Sequence, residues 1–360
     1  MTTSLDSIIV DASDFISSEF NLKNSKSQLK VYSREDWEKF YRINKDSIIG
    51  LKREDEGLYT PIDYSAHIRT DTSLLISNIF HEFFGHGLFC EHSQIGKKLT
   101  DIIQKNQDAN QFLYEEVNPN IQPSGLTRYN IHNHEGFAMW LESLLCEETG
   151  NNHVWESKKQ MLNPNYLSLF EFFKDVEQKF TRFGFMSQLG FPKYYDNEKL
   201  INTLKKLYNG SFKDIDFILL YGSQKPESDI DLFIVSEDKS QNLFNGWLDI
   251  FQLSRVEFES WIDNLDISVT DPLFSGKLIH GDTNYYENSK QEVIQKPINE
   301  KQINHNLARA KKGLEYLSTP TYNSREEKIF LSYLKSYTLT AEELRKGNKV
   351  LTLQKINEIS

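Results

Sequence analysis

Cysteine is scarce in this chain. Only Cys90 and Cys146 occur in 360 residues, and neither has a CxxC partner, which argues against a thiolate zinc knuckle or a vicinal redox pair. Two thiols in so long a chain fit a reducing cytoplasm, with both buried rather than bridged. Long hydrophobic runs are also missing: no stretch approaches eighteen consecutive apolar residues, so no membrane span is expected. The N-terminal MTTSLDSIIVDASDF has acidic residues early and no apolar core of signal-peptide length. Positive charge is in deficit, with 41 Lys and Arg against 52 Asp and Glu, a net charge of −11. A dedicated binder of duplex nucleic acid carries the opposite balance, and long RNA is the least attractive partner for the same reason.

Aromatics are plentiful (24 Phe and 17 Tyr), and most are expected in cores. The length allows two or three domains. Helices are expected at Asp36–Arg42, Thr72–Glu91 (capped by Thr72 or Asp71), Glu135–Glu148, Tyr166–Phe183 and Lys199–Tyr208. A short strand is expected at Tyr64–Arg69, and loops at 52–57 and 118–130. Near residue 200 the pattern changes. Asn209-Gly210 reads as a turn, and Asp216–Tyr221, Asp229–Val235 and Trp247–Leu253 read as strands, followed by a helix at Glu257–Leu265. From Glu300 onward the chain is Lys/Glu-rich and helical in pattern.

Two constellations carry chemistry. The first is His81-Glu82-Phe83-Phe84-Gly85-His86. Zinc hydrolysis needs three protein ligands, an open position for water and a carboxylate to take that water's proton. In the common HExxH spacing the histidines lie four apart and share a helix face. Here they lie five apart, roughly 140° from one another on an ideal helix. Both can ligate only if the helix carries an extra residue, as a π-bulge does, and Gly85 is placed to ease that distortion. The motif resembles the HELLGH motif of the dipeptidyl peptidase III family of zinc peptidases. That resemblance implies His81 and His86 as zinc ligands and Glu82 as general base. The family's third ligand is a glutamate in an EExxAE motif. His134-Glu135-Gly136-Phe137-Ala138-Met139 matches it at Glu135 and Ala138 and departs at His134 and Met139, and its EGFA core also looks like the EGxA helix of other glutamate-type zinc peptidases. The ligand set so implied is His81, His86 and Glu135. His92 and His132 are rival ligands, His92 the weaker because Phe89 stands where a metzincin glycine would. His134 is a further candidate, as ligand, as partner to a ligand or as polariser of a substrate carbonyl.

The second constellation is Tyr221-Gly222-Ser223 followed by Ser228-Asp229-Ile230-Asp231. Asp229 and Asp231 lie two apart on a strand and so share a face. The Gly222-Ser223 turn after an apolar strand presents backbone N–H groups and a hydroxyl to phosphate. Paired acids of this kind hold two magnesium ions for nucleotidyl transfer. The pattern resembles the DNA polymerase β-like nucleotidyltransferase superfamily, especially its minimal and kanamycin-type members. The resemblance implies a third carboxylate on a following strand, for which Asp249 fits best and Glu257 and Glu259 are rivals. Asp249 would also be the catalytic base. The QKPES segment before Asp229 is shorter than many members carry, and Lys225 stands in for the usual arginine toward the triphosphate. His280-Gly281-Asp282 reads as a turn.

The expected fold is α+β and multidomain: a mostly helical zincin-like domain at 1–200, a nucleotidyltransferase α/β domain at 201–295 and a helical segment at 296–360. The expected activities are NMP transfer from an NTP, with ATP the first candidate, to a hydroxyl of a small molecule or protein, and zinc-dependent cleavage of a peptide. The rival readings are one active half beside a binding module, or a non-enzymatic regulator of the toxin–antitoxin kind.

Overall fold

Aromatic and aliphatic side chains collect in separate cores, and the chain divides into two units, Met1–Leu207 and Tyr208–Ser360. The computed structural model describes residues 4–48, 51–105, 126–194, 196–209, 212–226, 228–237, 240–244, 247–317 and 324–359.

The first unit carries helices α1 (Leu5–Phe20), α2 (Arg34–Asn44), α3 (Leu75–Ile79), α4 (Gly87–His92), α5 (Gln94–Lys105), α6 (Leu126–Glu148), α7 (Asn152–Lys159), α8 (Pro164–Gln188) and α9 (Asn197–Leu207). A π-helix, Phe80–His86, joins α3 to α4. Strands β1 (Gln28–Tyr32), β2 (Gly57–Thr60) and β3 (Ser65–Arg69) form a sheet in the order β1-β3-β2, with β1 parallel and β2 antiparallel to β3. Ser4, Ser33 and Asn163 cap α1, α2 and α8 by accepting N–H bonds from their first turns.

From His134 to Cys146, α6 is buried nearly all round, which suits its run of Phe137, Met139, Trp140, Leu141, Leu144 and Leu145. It packs on Phe80, Phe84, Leu88 and Phe89 of the π-helix and α4. The two helices touch at Gly85, where a Cβ would lie 2.7 Å from Ala138 Cα. Gly85 therefore serves close helix packing. The helix expected from Thr72 starts instead at Leu75: Thr72 Oγ1 accepts the Leu74 N–H, and Asp71 is engaged by Arg69. Residues 126–130, expected as loop, are the first turn of α6, while 118–125 lie outside the described residues.

The second unit holds a five-stranded sheet in the order β6-β7-β5-β4-β8, from β4 (Ile215–Tyr221), β5 (Ile230–Ser236), β6 (Gln241–Phe244), β7 (Leu248–Ser254) and β8 (Lys277–Gly281). Only β5 and β7 are parallel; the other pairs are antiparallel. Its helices are α10 (Arg255–Asp263), α11 (Ile267–Ser275), α12 (Thr283–Gln295), α13 (Glu300–Leu317), α14 (Ser324–Arg345) and α15 (Leu353–Ile359). Ile303, Ala310, Tyr337, Ala341 and Leu344 share one core with Phe217, Phe233 and Phe258, so the helices after residue 300 pack onto the same body as the sheet. His280 and Gly281, expected in a turn, close β8, and Asp282 caps α12. The Gly210 half of the Asn209-Gly210 turn lies outside the described residues. The architecture is α+β, and among the described residues no helix is long and apolar enough to cross a membrane.

Candidate metal centres

In the first unit the five-residue spacing of the histidines is absorbed by the π-helix. Its wider turn sets the His81 and His86 rings 4.7 Å apart at 88°. Both Nε2 atoms face Glu135, whose two oxygens lie 3.5 Å from His81 and 3.6 Å from His86. Glu82 Oε2 lies 3.9 Å from His86 Nε2. Among the described residues, His81, Glu82 and His86 form a group whose ligand atoms all lie within 4.8 Å of one another. The backbone of β2 presses on this corner, since a Cβ on Gly57 would sit 3.1 Å from Glu82 Cγ.

Glu142 was not anticipated from the sequence. It stands seven residues after Glu135, close to two helical turns, and so shares its face of α6. It is fully buried and accepts from His81 Nδ1 at 2.9 Å, from Lys158 Nζ at 2.8 Å and from the Ser77 hydroxyl. With Nδ1 donating to Glu142, Nε2 is the nitrogen that faces Glu135 and that a metal would take on displacing its proton.

His134 is buried, with its ring 3.9 Å from that of His86 and its Nε2 3.7 Å from Cys90 Sγ. His92 points elsewhere and donates to Lys23 C=O at 2.8 Å. The His132 side chain lies outside the described residues.

Burial and Lys158 press His81 down, but hydrogen bonds to Glu135 and Glu142 outweigh them and hold it up at about 9. Burial, then repulsion by His134 and His81, holds His86 well below the usual histidine range. Burial and the charges of Glu135 and Glu142 push Glu82 up to about 7, against the pull of His81. Two imidazole nitrogens, one carboxylate and a second carboxylate poised near neutrality are a donor set that suits Zn²⁺.

In the second unit, register does the positioning. Asp231 on β5 pairs directly with Asp249 on β7 and with Tyr221 at the end of β4. Asp229 immediately precedes β5. Gly222 has a positive φ of 70°, and a Cβ there would overlap the Asp231 carboxylate, 2.7 Å from its Cγ. Only glycine lets the turn after β4 cross so close to that acid. Ser223 and Lys225 are exposed on the turn, and Ser228 Oγ donates to Ser223 Oγ at 3.1 Å.

Burial, then the charges of Asp229, Asp249 and Asp271, pushes Asp231 up to about 7. Burial and Asp229 also raise Asp249. Asp271, on α11, is a fourth acid that sequence reasoning missed, because nothing in its local sequence ties it to the DxD strand. The rival carboxylates have other work: Glu257 completes a capping box with Ser254, and Glu259 accepts from Tyr285. Acids that raise one another in this way suit a hard divalent cation such as Mg²⁺.

Beside Asp249 opens a cavity of about 780 Å³, lined by Tyr221, Phe251, Trp261, Asp271, Arg309 and Tyr333 among others. Arg309 lies over the Trp261 ring at 4.7 Å and 3.5 Å from the buried Asp266.

No protein-family model matches the chain, and no curated protein does. Among solved structures it is similar to a nucleotidyltransferase-like protein from Exiguobacterium sibiricum 255-15, at 14% identity and a TM-score of 0.27. That match covers 45% of this chain and 62% of that protein.

Proposed function

We propose that the second unit is a metal-dependent nucleotidyltransferase that moves NMP from an NTP to a hydroxyl. The observation that carries this reading is the register that sets Asp231 on β5 opposite Asp249 on β7, with the Gly222 turn pressed on Asp231, whose carboxyl burial and then its acidic neighbours raise to about 7. Asp229, Asp231 and Asp249 would hold Mg²⁺, which when bound neutralises the triphosphate and the departing pyrophosphate. The Gly222-Ser223 turn and Lys225 would receive phosphate oxygens. Asp249 would take the acceptor's proton as its oxygen attacks the α-phosphorus and the bond to pyrophosphate breaks. The cavity beside Asp249 is of a size for a small-molecule acceptor. Calorimetric titration with ATP and Mg²⁺ tests the reading. Magnesium-dependent binding that is lost in Asp231→Asn is expected; no binding of any of the four common NTPs with Mg²⁺ or Mn²⁺ would overturn it.

A specific observation favours a second activity in the first unit. The π-helix turns His81 and His86 together toward Glu135, and Glu142 holds the His81 ring by its Nδ1. We infer a zinc site of His81, His86 and Glu135, with Glu82 as base in hydrolysis of a peptide. About one zinc per purified chain, absent from Glu135→Ala, is the expected elemental analysis. A wild-type protein without zinc would remove this activity.

A further inference from the structure

The π-helix has a cost that falls on one backbone carbonyl. Where the register returns to α, the Gly87 N–H bonds to Glu82 C=O, five residues back, and to Phe84 C=O, three back. Phe83 C=O, the acceptor that this N–H would use in a regular helix, is passed over. Its partner comes from 59 residues upstream: Asn24 Nδ2 donates to it at 2.6 Å. Among the described residues Asn24 Oδ1 is buried with no hydrogen-bond partner, so the side chain acts there through its donor.

The segment around Asn24 is fastened along the same helical run. Glu91, nearly fully buried, accepts from the backbone N–H groups of Ser25, Lys26 and Ser27 at 2.7–2.9 Å and from the Ser25 hydroxyl. His92 holds Lys23 C=O. Gly87 leaves the room: a Cβ there would lie 2.9 Å from Asn24 Nδ2 and 2.8 Å from Ser27 Oγ. Gly85 and Gly87, two apart and so on nearly opposite faces, clear one side for Ala138 and the other for this strap.

We propose that Asn24 is a positioning residue of the first unit's metal centre: by closing the widened turn at Phe83 C=O, it fixes the five-residue register that aims His81 and His86 at one point. The inference rests on the zinc reading of that centre. Asn24 touches no ligand, so its effect passes through the backbone.

The test uses the full chain with Asn24→Asp, which keeps shape and loses the donor, Asn24→Gln, which keeps the amide, and Ser25→Ala, which removes one bond of the strap away from Phe83. Zinc affinity is measured by competition with a chromophoric chelator, and ligand geometry by the visible absorption of the Co²⁺-substituted protein. Thermal unfolding of each metal-free variant reports folding. Asn24→Asp is expected to bind zinc roughly tenfold or more weakly, the loss found for residues that orient ligands, with an altered Co²⁺ spectrum. Asn24→Gln should recover part of the affinity, and Ser25→Ala should bind as wild type. Equal affinity and spectrum in wild type and a folded Asn24→Asp would overturn this inference alone. A wild-type chain that binds neither metal would overturn the zinc reading and this inference together.

Discussion

Gly222→Ala isolates the closest contact in the second unit. Two costs add at this position. An L-residue held at a φ of 70° costs about 1–2 kcal/mol. A Cβ overlapping the Asp231 carboxylate adds an overpacking term of about 1–3 kcal/mol. The substitution is therefore expected to destabilise the unit by about 2–5 kcal/mol. The two parts separate in a double-mutant cycle. With Asp231→Ala already made, the carboxylate overlap is gone, and the backbone term of about 1–2 kcal/mol remains with a tight contact to the residue 231 Cβ at 3.0 Å, so the pair should couple by up to about 3 kcal/mol. Amide exchange of β4 and β5 peptides in metal-free buffer at pH 8 reads the unit's opening free energy directly. Strict additivity of the two substitutions would refute the geometry, because it would mean that the turn and the acid do not meet.

Protonation gives a further handle on the same acid. Asp231 sits near 7 in the folded chain against an ordinary 3.8, so the native state holds a proton that the unfolded state releases. Asp231's contribution to the stability of the metal-free second unit should be full below about pH 4 and be lost as pH rises toward 7; Mg²⁺ should restore stability at the upper end, and the difference between wild type and Asp231→Asn, read by thermal unfolding across pH, should show this dependence. In the first unit, Lys158→Met takes one of two cationic partners from the fully buried Glu142, leaving His81, and should cost about 1–3 kcal/mol in urea unfolding. The double variant Lys158→Met with Glu142→Gln should cost less than Lys158→Met alone, and a larger loss in the double would count against the buried pair.

Much of the local structure was legible because it is written in spacing. A spacing of five from His81 to His86 demanded a widened turn if both were to share a site, and Phe80–His86 is a π-helix. Alternation around Asp229 and Asp231 placed them at the head of a strand, and β5 begins at Ile230. What escaped was long-range or short. Strands β1, β2 and β6 have four or five residues each and little periodicity to detect. Glu142 and Asp271 are single acids that meet His81 and Asp231 only through the tertiary fold, and Asn24 meets its carbonyl across 59 residues. Gly85 was read for conformational freedom, although its importance is the space it leaves for Ala138, which only the helix crossing reveals.

That crossing separates two kinds of information within one motif. Gly85 and Ala138 are held to their size by each other, and Gly136 by the Phe173 ring, whether or not a metal is ever bound. On the zinc reading, His86 and Glu135 answer to the ion, and His81 to the ion and to Glu142. A descendant that gave up the chemistry would be free to drift at the second set while the first stayed frozen. The small residues would then outlast the ligands, as a fossil of how the helices meet.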